Sequence, residues 1–201
     1  MKVFLDLDLT LVNSIYAKKH EDTENRVHVG FGIYTKVRPN ALYFIHELIN
    51  DGHEVEIITY ADLEYAKSVV EKFKFPINKI TSMRELNAPL NYKNKDWVLV
   101  DDLPARDKIK HICGNEDAEE HLIRIHGFFC NNKDNELLKI LSIIRFISTE
   151  INPIKYRRFE ERYWGLLEKE STTQEEFEEL KIFENNSSIW GAIYDFSKEQ
   201  T

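Results

Sequence analysis

The chain is 201 residues long, 42% hydrophobic and 31% charged, the balance of a globular domain with a core to bury and not of a disordered or fibrous chain. Its net charge is −8, and residues 151–201, with seven Lys/Arg against eleven Asp/Glu, supply half of that excess, so no dedicated nucleic-acid binding is expected. Cys113 and Cys130 form no CxxC pair, which excludes a disulfide framework and a zinc knuckle; no apolar run reaches the length of a membrane span, and "MKVFLDLD" turns acidic too soon for a signal peptide, so the expected location is cytoplasmic.

"KVFLDL" (2–7) is a short continuous apolar run, the pattern of a strand buried on both faces, and it ends in two aspartates, Asp6 and Asp8. Residues 17–25 are polar and read as loop, and "RVHVGFGIYTKV" (26–37) alternates around Gly30 and Gly32, the pattern of a small hairpin. A helix starts at Pro39 and stops at Gly52, with Leu42, Ile45, Leu48 and Ile49 at helical spacing. "HEVEIIT" (53–59) is a second strand, and Asp62 opens a helix that closes before Pro76. A brief third strand at 77–83, a fourth at 96–102 ending in Asp101 and Asp102, a helix from 104, a fifth strand at 121–127 and a strongly apolar helix at 135–147 follow. His121 and His126 flank that fifth strand as ordinary strand residues. The rhythm breaks at 150, where one or two amphipathic helices and an aromatic end begin.

Strands alternating with helices predict an α/β fold of three layers with a parallel sheet, covering 1–149 with a small insert at about 13–37, and a helical, aromatic-rich C-terminal extension over 150–201 packed on it. Ligands of such sheets bind beyond the carboxyl ends of the strands, near the reversal of strand order. If strands one, two and four are neighbours, Asp6, Thr59, Asp101 and Asp102 converge on one rim. Carboxylates that close repel unless a divalent cation neutralises them, and an all-oxygen donor set suits Mg²⁺.

The order "DLDLT", a Thr ending the second strand, a Lys and an acidic pair closing the fourth resembles the haloacid dehalogenase superfamily. "KVRPNALYFIHELINDGHEVEIITYADLEYAKSVVEKF" and "SMRELNAPLNYKNKDWVLVDDLP" further resemble the carboxy-terminal-domain phosphatases, the NLI-interacting-factor-like branch, over roughly residues 2–147. The resemblance implies a phosphatase with a haloacid-dehalogenase-like Rossmannoid fold. It implies Asp6 as nucleophile and Asp8 as general acid and then base, with Thr10 stabilising their loop. It implies Thr59 as a phosphate ligand, Lys93 as the lysine that pairs with phosphate and with Asp6, and Lys95 as its competitor. Arg84 aligns with a substrate-contacting arginine, Arg38 is structural, and Asp102, with Asp101 in support, joins Asp6 and Asp8 in holding Mg²⁺.

Fifty-three positions separate Asp6 from Thr59 and thirty-four separate Thr59 from Lys93, too few for a large cap domain once helices are counted. An open site suits a phosphoprotein, here by resemblance one carrying phosphoserine or phosphothreonine. The same machinery serves a nucleotide, a nucleic-acid end or a small metabolite, which a partial cover from 13–37 or from the tail would favour. A catalytically idle binding module is the reading from another class. The partner expected is a phosphorylated substrate, protein or small molecule, with no membrane; the oligomeric state is not legible.

Overall fold

The computed structural model describes residues 1–16, 25–85, 89–90, 92, 96–114 and 121–149. In chain order its elements are β1 (Lys2–Leu5), β2 (Val12–Tyr16), β3 (Val27–Gly30), β4 (Ile33–Val37), α1 (Ala41–Asn50), β5 (Glu54–Thr59), α2 (Leu63–Lys72), β6 (Ile80–Ser82), β7 (Trp97–Asp101), α3 (Arg106–Cys113), β8 (Leu122–Arg124) and α4 (Glu136–Thr149). Five strands form one sheet in the order β6-β5-β1-β7-β8, every pairing parallel. This is an α/β Rossmann-like fold, with the central strand β1 buried along its whole length, as its unbroken apolar run requires. No helix among the described residues is long and apolar enough to cross a membrane.

The insert differs from the expected hairpin. Val12–Tyr16 adds a strand, so β2, β4 and β3 make a three-stranded antiparallel sheet, with Ser14 opposite Thr35. Residues 17–24 lie outside the described residues. The turn from β3 to β4 runs through Gly30, Phe31 and Gly32, all in left-handed backbone, where glycine is the natural occupant. Among the described residues this small sheet, and not a large cap, is what the chain inserts between β1 and α1.

Helix α1 buries Ala41, Phe44, Ile45 and Leu48 at i, i+3, i+4 and i+7; Ile45 and Leu48 are as read in the sequence, whereas Leu42 and Ile49 are exposed and Ala41 and Phe44 take their place. The helix ends where Gly52, in left-handed backbone, donates its N–H to Ile49 O and His53 donates to Leu48 O. At the head of α2, Asp62 has the extended backbone of a cap, but its side chain accepts no capping N–H. Its carboxylate takes Arg84 Nη1 at 2.9 Å, and the Leu63 N–H is satisfied by Glu85 Oε1 at 3.0 Å. Helix α2 lies against both β6 and β3, tying the large sheet to the small one.

The chain divides into two compact units, Met1–Leu137 and Leu138–Thr201. In the second, the described residues are the body of α4, in which Ile140, Leu141, Ile143, Ile144 and Ile147 are buried. The extension expected over 150–201 lies outside the described residues.

Candidate active site

The sheet order reverses at β1, with β5 and β6 to one side and β7 and β8 to the other, which opens a crevice beyond the carboxyl ends of three neighbouring strands. Asp6 follows β1 directly, and its N–H donates to Val100 O at 2.9 Å, so strand pairing fixes its height on the rim. Thr59 is the last residue of β5 and Asp101 the last of β7. All three are buried.

Between them stands Lys108, from the first turns of α3. Its Nζ donates at 2.6 Å to Asp6 Oδ1 and at 2.6 Å to Asp101 Oδ2. It is 4% exposed. The other Asp101 oxygen accepts the Leu103 N–H at 2.9 Å, so this carboxylate is held at both ends. Tyr60 lies over the ammonium, its ring centroid 5.3 Å from Nζ, and donates its hydroxyl to Asp107 Oδ2 at 3.3 Å.

Asp6, Asp101 and Asp102 each offer a carboxylate oxygen within 4.8 Å of the others. One ammonium does not balance three carboxylates, and the proton affinities record the excess. Burial raises Asp6, Lys108 pulls it back, Asp101 pushes it up again, and the outcome is about 7. Burial and then Asp101 raise Asp102. Burial pulls Lys108 down, yet Asp6 and Asp101 together outweigh that and leave it above its ordinary value. Beside Asp102, close enough to draw its proton affinity down slightly, the fully buried Thr10 hydroxyl makes no geometric hydrogen bond among the described residues. An all-oxygen donor set with uncompensated negative charge and a spare hydroxyl fits a hard divalent cation.

The loop that carries Asp6 and Asp8 is bent sharply. Leu9 adopts φ 62°, left-handed backbone for a residue with a branched side chain. Its N–H donates to Val12 O at 2.6 Å and its carbonyl accepts from Phe128 N at 2.7 Å. The 1% exposed Arg38 locks the bend. Its Nη1 donates to Thr10 O at 3.1 Å and its Nη2 to His126 O at 2.8 Å, while Nε and Nη2 reach the two Asp134 oxygens at 3.0 and 2.9 Å. Gly127 lies close by. A Cβ there would stand 3.5 Å from Asp102 Oδ2 and 3.2 Å from the Phe129 ring.

Asp8, which is not one of the three grouped carboxylates, accepts the Tyr65 hydroxyl at 2.7 Å on Oδ1. Burial raises its proton affinity, against the opposing pull of that hydrogen bond and of Lys108. It opens on a cleft of about 320 Å³ bounded by Ser14, Ile15 and Ile33 of the small sheet, Tyr60 and Tyr65 from the β5–α2 segment, and Arg84. The Thr59 hydroxyl accepts the Ala61 N–H at 3.1 Å, which uses a lone pair and leaves its hydrogen to donate.

The model of one family, described as NLI interacting factor-like phosphatase, matches residues 1–154. The chain belongs to that family. A search of curated proteins gives no match. This NLI interacting factor-like phosphatase therefore brings together Asp6, Asp101 and Asp102 from the residues read in the sequence, with Thr59 on the same rim. It places Asp8 beside the cluster, facing the cleft. Arg84 lines that cleft with its guanidinium paired to Asp62 at 2.9 Å. Lys93 and Lys95 lie outside the described residues.

Lys108 is the site residue that sequence reasoning passed over. The signal was present: Ala105, Lys108, Ile109 and Ile112 fall at i, i+3, i+4 and i+7, so a lysine occupies a position on the stripe that α3 buries.

Proposed function

We propose that this phosphatase hydrolyses phosphomonoesters with Mg²⁺ through an aspartyl-phosphate on Asp6, and that its substrate is a protein carrying phosphoserine or phosphothreonine. The observation that carries the mechanism is Lys108 Nζ bridging Asp6 and Asp101 at 2.6 Å each, with Asp102 beside them at the switch point of the sheet. Asp6, Asp101 and Asp102 would hold the cation, whose charge would offset theirs and that of the incoming phosphate.

The chain's own groups then have distinct tasks. Lys108 holds one Asp6 oxygen, which aims the other at phosphorus, and its charge draws the Asp6 proton affinity down against the larger effect of burial. An Asp6 oxygen bonds to phosphorus as the ester P–O bond breaks, and the electron pair leaves on the ester oxygen. Asp8, whose raised proton affinity suits an acid, gives that oxygen its proton. A water then attacks the phosphorus of the aspartyl-phosphate, Asp8 takes its proton, and Asp6 and inorganic phosphate are released. The Thr59 hydroxyl donates to a phosphate oxygen throughout.

Exposed apolar side chains around the rim, Tyr16, Leu103 and Phe129, favour a substrate that brings its own chain to cover the site. A second reading, a nucleotide, nucleic-acid end or small metabolite, is favoured by the wall that the small sheet puts beside Asp8, since about 320 Å³ falls within the usual range for small-ligand pockets. Purified protein should hydrolyse p-nitrophenyl phosphate with Mg²⁺, stop with EDTA, and lose turnover in Asp6→Asn with its fold intact. A panel of phosphopeptides, nucleotides and 3′-phosphorylated oligonucleotides separates the two substrate readings; turnover of the nucleotides alone would overturn the first.

A further inference from the structure

We propose that Tyr65 is a positioning residue for Asp8, anchored on the small sheet through Ser14 and Thr35, and that it fixes which oxygen of the acid delivers the proton. This rests on the assignment of Asp8 as general acid made above. Tyr65 donates to Asp8 Oδ1 at 2.7 Å. A phenol has one hydrogen, so at its 2.6 Å contact with Ser14 Oγ the tyrosine oxygen must accept. Ser14 has then used its own hydrogen, and at 2.7 Å Thr35 Oγ1 must donate to it. The three hydroxyls form a one-way chain from β4 through β2 and α2 into the acid.

That chain is built on rigid parts. Ser14 and Thr35 are direct cross-strand partners, Tyr65 sits in the first turn of α2, and Thr35 and Tyr65 are buried. Hydrogen bonds in series and away from water strengthen one another. With Oδ1 already accepting, the proton of the neutral acid resides on Oδ2. When the ester bond breaks, the departing oxygen takes that proton, Asp8 is left as carboxylate, and the bond from Tyr65 persists through both states. The alternative is that the three hydroxyls only fasten the small sheet to α2.

Leaving groups distinguish the two. p-Nitrophenolate departs without a proton, whereas benzyl alkoxide needs one. The ratio kcat/KM reports events up to the first P–O cleavage, so it isolates Asp8 acting as acid. Tyr65→Phe should lower kcat/KM by about tenfold or more on benzyl phosphate and by less than about threefold on p-nitrophenyl phosphate. Ser14→Ala should show the same ordering more weakly. Equal losses on the two substrates in both variants would overturn the positioning role and leave the phosphatase reading standing. Absence of wild-type turnover on either substrate, with any divalent metal, would overturn that reading and the inference with it. If Tyr65→Phe does not unfold cooperatively by circular dichroism, Ser14→Ala alone decides.

Discussion

An ammonium buried to 4% exposure between two carboxylates is held by charge on both sides, and its removal is felt twice. Without Lys108, Asp6 and Asp101 face each other in a buried rim, and one of them must take up a proton. Breaking a buried pair by deleting one partner costs about 3–5 kcal/mol, and the aimed nucleophile is lost as well. Lys108→Ala should therefore lower both the unfolding midpoint and kcat. In activity it should cost at least about a hundredfold and more than Lys93→Ala, measured side by side on p-nitrophenyl phosphate. The carboxylates of this site were legible because each ends a buried strand, where a charge is conspicuous. The lysine was not, because a cation in a helix reads as solvated until the helix's apolar stripe is set in register. In α3, only the four-residue pattern of Ala105, Lys108, Ile109 and Ile112 carries that register.

Among elements, β1 and β7 were legible from their apolar runs, and β1, β5, β6, β7 and β8 all lie within the stretches expected for them. Strand β2 was not. "VNSIY" breaks its alternation with adjacent polar residues, and it becomes a strand only because β4 offers a partner along its full length. The error in α1 has a similar source: Leu42 and Ile49 are as apolar as Phe44 and Ile45, and tertiary contact decides which face is covered. The bend after β1 depends on distant support, since the carbonyls of Leu9, in left-handed backbone, and of Thr10 both accept from Arg38. Lysine keeps the charge of Arg38 but lacks the planar fork that reaches Asp134 twice and three carbonyls besides. Arg38→Lys should cost about 2 kcal/mol or more in urea unfolding and lower kcat more than it raises KM, because it loosens the backbone under Asp6 and Asp8.

For the molecule as a whole, the acidic rim sets a pH dependence of defined sign. Asp6, Asp8 and Asp102 all bind protons more tightly in the fold than their ordinary value of 3.8, with Asp6 at about 7. Over that window the fold carries more protons than the unfolded chain, so raising the pH favours unfolding. In EDTA the urea midpoint should fall from about pH 5 to about pH 7.5, and Mg²⁺ should restore it most at the upper end, where the carboxylates it binds are ionised. A midpoint that rises over the same range without metal would contradict the burial of these groups.

Gly127 has a bearing on this site out of proportion to its lack of a side chain. Its backbone needs no glycine for conformational reasons, yet the point where a side chain would begin lies against Asp102 Oδ2. A methyl placed there would touch that oxygen at 3.5 Å and crowd the Phe129 ring at 3.2 Å, and the ring, 78% exposed, can swing outward. Gly127→Ala should thus leave the melting temperature nearly unchanged while raising the Mg²⁺ concentration needed for half-maximal turnover. A residue that contributes no atom beyond its backbone would then leave the room in which a carboxylate twenty-five positions earlier in the chain takes up its ion.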